Sequence, residues 1–287
     1  MQNSYLLLAL ISMCCYGLGD LVFKFAARKG LPSHRFLILQ TVFFLPSALF
    51  LGWITDSLHF GMPFMFGMCA GVTLYFALLY FSISLNTGDV SVVAPVFRSS
   101  FVLSGILALL FLNESLTLNK IFAFALLVLA AFLLLSNLSF RSNQASEIKT
   151  DKSYFKSLII ATVLLGISGF IYKLGAIAGG NSISIVTGQA TVFFTLAFSA
   201  SYYKDKRIIF LWKYLYLGFA AAFFLFLALY FLLEALKSGP ATTVVTISQM
   251  GFVVTAILGT FIFKEKISLR KVLGLVCSIV AMVLLAT

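Results

Sequence analysis

The sequence predicts an all-α integral membrane protein of ten transmembrane helices, arranged as two inverted five-helix repeats. Three observations lead there. Of 287 residues, 61% are hydrophobic and only 10% charged, whereas soluble domains run near 45–50% and about 25%. The apolar residues fall into ten segments, each close to the roughly 20 residues a helical span requires. The second half of the chain also repeats the first. This composition excludes a soluble cofactor enzyme and a receptor with a large ectodomain, because ten spans leave only short connections. The net charge of +11 belongs to loops facing anionic lipid, with no nucleic-acid partner implied.

In chain order the spans are expected at about 5–27, 35–54, 62–86, 90–112, 118–137, 155–177, 183–202, 213–236, 241–263 and 270–286. The first lacks a basic n-region and is too long for a signal peptide, so it reads as a retained span. All should be helices, since hydrocarbon offers no partner to a free backbone group. Runs such as Leu126 to Leu129 also lack the alternation of a barrel strand. Pro95 in span 4 has no N–H and is expected to bend that helix. The turns Asn86 to Asp89 and Lys237 to Pro240 are short and make the helices they join antiparallel neighbours. The polar stretch Arg141 to Ser153 (RSNQASEIKTDKS) has no apolar period and reads as a linker. The division is therefore a first repeat at 1–140, a linker at 141–154 and a second repeat at 155–287.

The repeat is visible residue by residue. A shift of 149 lays Gly17 to Lys24 (GLGDLVFK) on Gly166 to Lys173 (GISGFIYK). A shift of 151 lays Phe111 to Thr117 (FLNESLT) on Ile262 to Ser268 (IFKEKIS), Gly88 on Gly239 and Arg98 on Gln249. With an odd number of spans per repeat, equivalent loops lie on opposite sides of the membrane. The charges agree. Arg28, Lys29 and Arg35 follow span 1, and Lys204, Lys206, Arg207 and Lys213 follow span 7. Lys264, Lys266, Arg270 and Lys271 follow span 9, and the linker region adds Arg141, Lys149, Lys152 and Lys156. The opposite face has Lys120 and Lys237. The positive-inside rule then puts the linker in the cytoplasm and both termini outside, in what is expected to be a bacterial inner membrane. Trp53, Trp212, Tyr202, Tyr203, Tyr214 and Tyr216 fall at span ends, where an aromatic belt belongs.

The paired turns Leu112 to Leu116 and Phe263 to Ile267, with Ala94-Pro95 and Ala241 after the Gly88 and Gly239 turns, resemble the EamA-type branch of the drug/metabolite transporter superfamily. The resemblance covers nearly the whole chain. It implies a ten-helix basket around a central cavity that carries small metabolites, such as amino acids, nucleotide-like compounds or amphiphilic drugs, by alternating access.

Ionisable residues inside spans are expensive and read as functional by default. Arg98 stands about nine residues past Asp89, roughly 14 Å along a helix and near the midplane. It and Gln249 are expected to face each other and bind substrate, Arg98 as a fork for a carboxylate or phosphate and Gln249 as donor and acceptor. The competing reading has Arg98 paired with Glu234 or a backbone carbonyl. Lys24 and Lys173 are further candidates near helix ends, where snorkelling competes. An i,i+4 partner for Lys24 is available in Asp20. Glu234 is a candidate gate partner for Lys173 or a simple partner for Lys237, and Asp20 or Glu234 could couple transport to protons. Phe97, Tyr75, Tyr80 and Tyr230 are candidate cavity-lining aromatics. Glu114 and Glu265 read as turn-fixing residues. Cys14, Cys15, Cys69 and Cys277 lie in apolar runs, so no disulfide, metal, cofactor or catalytic centre is expected. The expected function is a secondary transporter of a carboxylate-bearing or zwitterionic solute such as an amino acid. The alternatives are an exporter of cationic drugs and, further off, a membrane-embedded lipid-modifying enzyme. Its partners are the small-molecule substrate, the bilayer and a coupling proton, and a monomer suffices because one chain holds both repeats.

Overall fold

A computed structural model describes residues 2–87, 90–112, 117–142, 152–179, 181–263 and 268–286. The Gly88 turn, Glu114, Glu265 and most of the linker fall outside them. The described residues are helical almost throughout. Seven helices are long and apolar enough to cross a membrane, and three shorter apolar helices complete the set of ten spans.

Spans 1 to 3 are α1 (Gln2–Arg28), α2 (Ser33–Ile54) and α3 (Met62–Thr87). Span 4 is not one helix but two, α4 (Val90–Arg98) and α5 (Phe101–Leu112), followed by α6 (Leu118–Ser142). In the second half α7 (Lys152–Ile177), α8 (Ser182–Asp205) and α9 (Leu215–Ser238) precede a second broken span, α10 (Ala241–Gln249) and α11 (Gly251–Phe263), and then α12 (Leu269–Ala286). The helix stops recur with the repeat. Beyond α1 lies Gly30 at φ 69°, and beyond α7 lies its counterpart Gly179 at φ 77°, the left-handed conformation that closes helix ends and that glycine adopts without strain.

Packing is reciprocal between the halves. Helix α1 lies on α9 and α7 on α3, α5 packs on α7 and α11 on α1, and α6 pairs with α12. The equivalent helices α2 and α8 run antiparallel. Arg35 at the start of α2 bonds Asp205 at the end of α8 at 2.9 and 3.1 Å, while past the other end of α2 the Ser57 carbonyl accepts from Ser184 Oγ on α8 at 3.0 Å. Equivalent elements running in opposite directions are the signature of inverted repeats.

The breaks lie beyond the proline. Span 4 stays helical through Pro95 and opens at Ser99 and Ser100, where backbone bonds tighten from Ser99 N–H to Val96 O and from Ser100 N–H to Phe97 O. Span 9 breaks at the equivalent place, Met250, with no proline inside α10. At both breaks a helix of the other repeat crosses closely. A Cβ on Gly17 of α1 would lie 2.5 Å from the Gly251 carbonyl, and one on the equivalent Gly166 of α7 would lie 2.9 Å from the Ser100 carbonyl. Each backbone therefore passes the other repeat's break at a distance only glycine allows. Hydroxyls fasten both crossings, Thr255 Oγ1 to Gly17 O at 3.0 Å and Ser104 Oγ to Gly166 O at 2.7 Å.

Candidate functional site

The break in span 4 leaves Arg98 at the C-terminus of α4, where unsatisfied carbonyls favour a cation. Arg98 is 1% exposed. Its Nη2 donates to Asp20 Oδ1 at 2.6 Å and its Nε to Asp20 Oδ2 at 3.1 Å. Nη1 donates to Gln249 Oε1 at 2.9 Å. The guanidinium carbon lies 4.4 Å from the centre of the Tyr16 ring and 5.4 Å from that of Phe97. Of the five N–H groups of an arginine, these three bonds leave one on each terminal nitrogen.

Arg98 faces a small cavity of about 30 Å³, room for a water or two. Its polar wall is Tyr16, Gln40, Arg98 and Gln189, and the rest is phenylalanine and leucine. Four pairs of lining residues are repeat mates: Tyr16 with Leu165 and Gln40 with Gln189 at the shift of 149, and Leu74 with Leu225 and Leu78 with Leu229 at the shift of 151. The cavity thus sits between the two repeats, on their pseudo-two-fold axis.

The structure joins the predicted residues selectively. Arg98 and Gln249 meet, and Phe97 stacks on Phe81 at 4.2 Å beside them. Asp20 turns both carboxylate oxygens to Arg98, so the expected local partnership with Lys24 gives way to one that spans the fold. Lys24 donates to the Leu85 carbonyl at 3.3 Å. Its mate Lys173 donates to the carbonyls of Leu236, the mate of Leu85, at 3.2 Å and of Gly239 at 2.9 Å. The two lysines do the same job, closing the C-terminal ends of α3 and α9, whose last carbonyls have no partner within the helix. Glu234 pairs with Lys237 at 2.7 Å, with side chains 27% and 38% exposed. That pair lies at the end of α9, away from Arg98, whose carboxylate partner is Asp20. Tyr75 is buried, and its hydroxyl has no partner among the described residues. Tyr80 and Tyr230 are half-buried. These three tyrosines lie outside the cavity wall. Sequence reasoning passed over Tyr16, Gln40 and Gln189. The shift of 149 aligns the two glutamines and was the signal that could have found them. Among the described residues no cluster of His, Cys, Asp or Glu could hold a metal.

Ten apolar spans in inverted repeats, with both broken helices meeting at a buried ion pair, define a membrane carrier. Residues 3–136 and 154–287 each match the EamA-like transporter family, and the chain belongs to that family. A solved structure titled only "Crystal structure of protein" shares the fold, with a TM-score of 0.73 at 12% identity over 99% of this chain and 96% of that one. Among curated proteins, none matches.

Proposed function

We propose that this transporter carries a zwitterionic metabolite of the amino-acid kind by alternating access, with Arg98 as the anchor for its carboxylate. The observation that carries the reading is the buried Arg98–Asp20 pair, whose Arg98 lines the cavity with two N–H groups left over. That pair is neutral as a unit. A simple carboxylate would add an uncompensated negative charge in a dry site, and a cationic drug an uncompensated positive one, both unfavourable. A zwitterion adds neither. The cavity of about 30 Å³ is far below the roughly 300 Å³ of an ordinary ligand pocket, so loading requires the repeats to move apart. Asp20 is the proposed proton site, because a protonated carboxyl would loosen its hold on the guanidinium. Lys24 and Lys173 hold helix ends, and Glu234 stays with Lys237. The bases after spans 1 and 7 share one end of the molecule through the Arg35–Asp205 contact, which supports a cytoplasmic basic face.

The test is uptake by proteoliposomes of a labelled panel of amino acids, carboxylates, nucleotides and quaternary amines, with native protein and Arg98→Ala. Amino-acid uptake that collapses in the variant is the expected result. Uptake of cations alone, or uptake indifferent to Arg98→Ala, would sink the reading. For the proton, Asp20→Asn should leave exchange of substrate across the membrane but abolish its response to an imposed pH gradient.

A further inference from the structure

The two cavity glutamines occupy equivalent positions and differ in one respect. Gln189 accepts a hydrogen bond from Tyr172 Oη, one element earlier on α7, at 2.5 Å. Gln40 Oε1 is buried and has no hydrogen-bond partner among the described residues, although Gln40 is only 3% exposed and lines the same cavity as Arg98. The repeat explains why. The mate of Tyr172 at the shift of 149 is Phe23, whose ring packs edge-on against Phe36 at 4.9 Å. The first repeat keeps the glutamine and lacks the hydroxyl that satisfies it in the second.

A buried acceptor without a donor is unfavourable, and here it stands in the wall of a substrate cavity. We infer that Gln40 is a specificity-determining residue whose amide oxygen accepts a hydrogen bond from the substrate's α-ammonium. This rests on the zwitterion reading above. Once the carboxylate takes the two remaining N–H groups of Arg98, the ammonium needs acceptors close by. Asp20 already gives both oxygens to Arg98, and the Gln189 oxygen is occupied by Tyr172. Among the amide and carboxylate oxygens here, that of Gln40 is left without a donor among the described residues, the other polar group of the wall being the Tyr16 hydroxyl, and the amide can turn about its last bond to present the oxygen. A site built to bond a substrate N–H discriminates strongly against the analogue that lacks it.

The experiment uses solutes that share a carbon skeleton and differ at one atom: α-amino acids, the matching 2-hydroxy acids and the matching acids with hydrogen at that carbon. Uptake of each is measured in proteoliposomes with native protein, Gln40→Leu, Phe23→Tyr and Arg98→Ala. Native protein should prefer the amino acid over the plain acid by at least about tenfold. Gln40→Leu should lower that ratio several-fold while uptake of the plain acid persists, the remaining preference reflecting the uncompensated charge of the plain acid beside the neutral Arg98–Asp20 pair. Phe23→Tyr leaves Gln40 in place and copies the second repeat by supplying a hydroxyl. It should erode the same ratio, and so keeps the test open if Gln40→Leu fails to fold. A ratio unchanged in both variants, or a native preference for the hydroxy acid, would overturn the inference. Loss of all three solutes in Arg98→Ala alone preserves the carboxylate anchor even if the Gln40 assignment falls. If native protein moves none of the three classes, both fall together.

Discussion

The break after α4 and the break after α10 share a backbone geometry, a crossing glycine and a fastening hydroxyl, yet their chemistry is unlike. One ends on Arg98 and lies against Asp20, whereas the other ends on Gln249, and the mate of Asp20 is Gly169. The duplicated backbone breaks a span in each repeat, and the buried ion pair lies at one of the two breaks only. A symmetric cavity with two arginines would hold two like charges across the axis in a dry interior. Placing the ion pair on one side and an amide on the other keeps the cavity neutral, and under the proposed function it would give the substrate a single orientation.

The largest effect should come from breaking the pair on one side only. Asp20→Gly copies the second repeat but leaves the Arg98 guanidinium buried with a single neutral side-chain partner, so it should lower stability by about 3–5 kcal/mol. The double variant Asp20→Gly with Arg98→Gln copies the second repeat at both charged positions. It should regain much of that loss and still fail to transport. Thermal unfolding in detergent and proteoliposome uptake check both halves of this expectation. A double variant less stable than Asp20→Gly would show that the two breaks are not interchangeable in packing.

Second in size is the crossing itself. Gly17→Ala puts a Cβ 2.5 Å from the Gly251 carbonyl and 2.7 Å from Val254 Cβ, neither of which can rotate away. The variant should lose about 1–3 kcal/mol by overpacking, and Gly166→Ala, against the Ser100 carbonyl at 2.9 Å and Leu103 Cβ at 2.8 Å, should lose somewhat less. Melting temperatures measured side by side give the order, and the reverse order would break the proposed equivalence.

Hydropathy and the two shifts made the ten spans, the inverted repeat and the meeting of Arg98 with Gln249 legible before any coordinates. What stayed hidden was pairing between elements distant in sequence. Asp20 and Lys24 look like an i,i+4 pair, but burial at the axis gives Asp20 the stronger bidentate partner, while Lys24 finds helix-end carbonyls that no sequence rule points to. The breaks were hidden for a similar reason. Pro95 drew the eye, whereas what the two breaks share is a glycine of another helix crossing close by. Gln40 and Gln189 were lost inside runs counted for their apolarity, although the repeat had already aligned them.

The smallest effect gives the sharpest measure of how far the mechanical equivalence goes. Ser104 and Thr255 are repeat mates at the shift of 151. Each bonds a glycine carbonyl of the opposite repeat and the carbonyl four residues back in its own helix, at 2.7 and 3.4 Å for Ser104 and at 3.0 and 3.1 Å for Thr255. Hydrogen bonds between helices in a bilayer contribute about 0.6 kcal/mol on average. Ser104→Ala and Thr255→Val should therefore each lose about that much, with the double variant near the sum, because the hydroxyls stand at separate crossings and share no partner. Unfolding titrations of the three variants in mixed micelles supply the numbers. Equal losses would mean that both repeats are held to the same tightness at their breaks, so that the asymmetry of transport lies wholly in Arg98, Asp20 and their neighbours. A loss confined to one crossing would mean that one break is built to open first, and the charged side would then no longer be the sole source of direction.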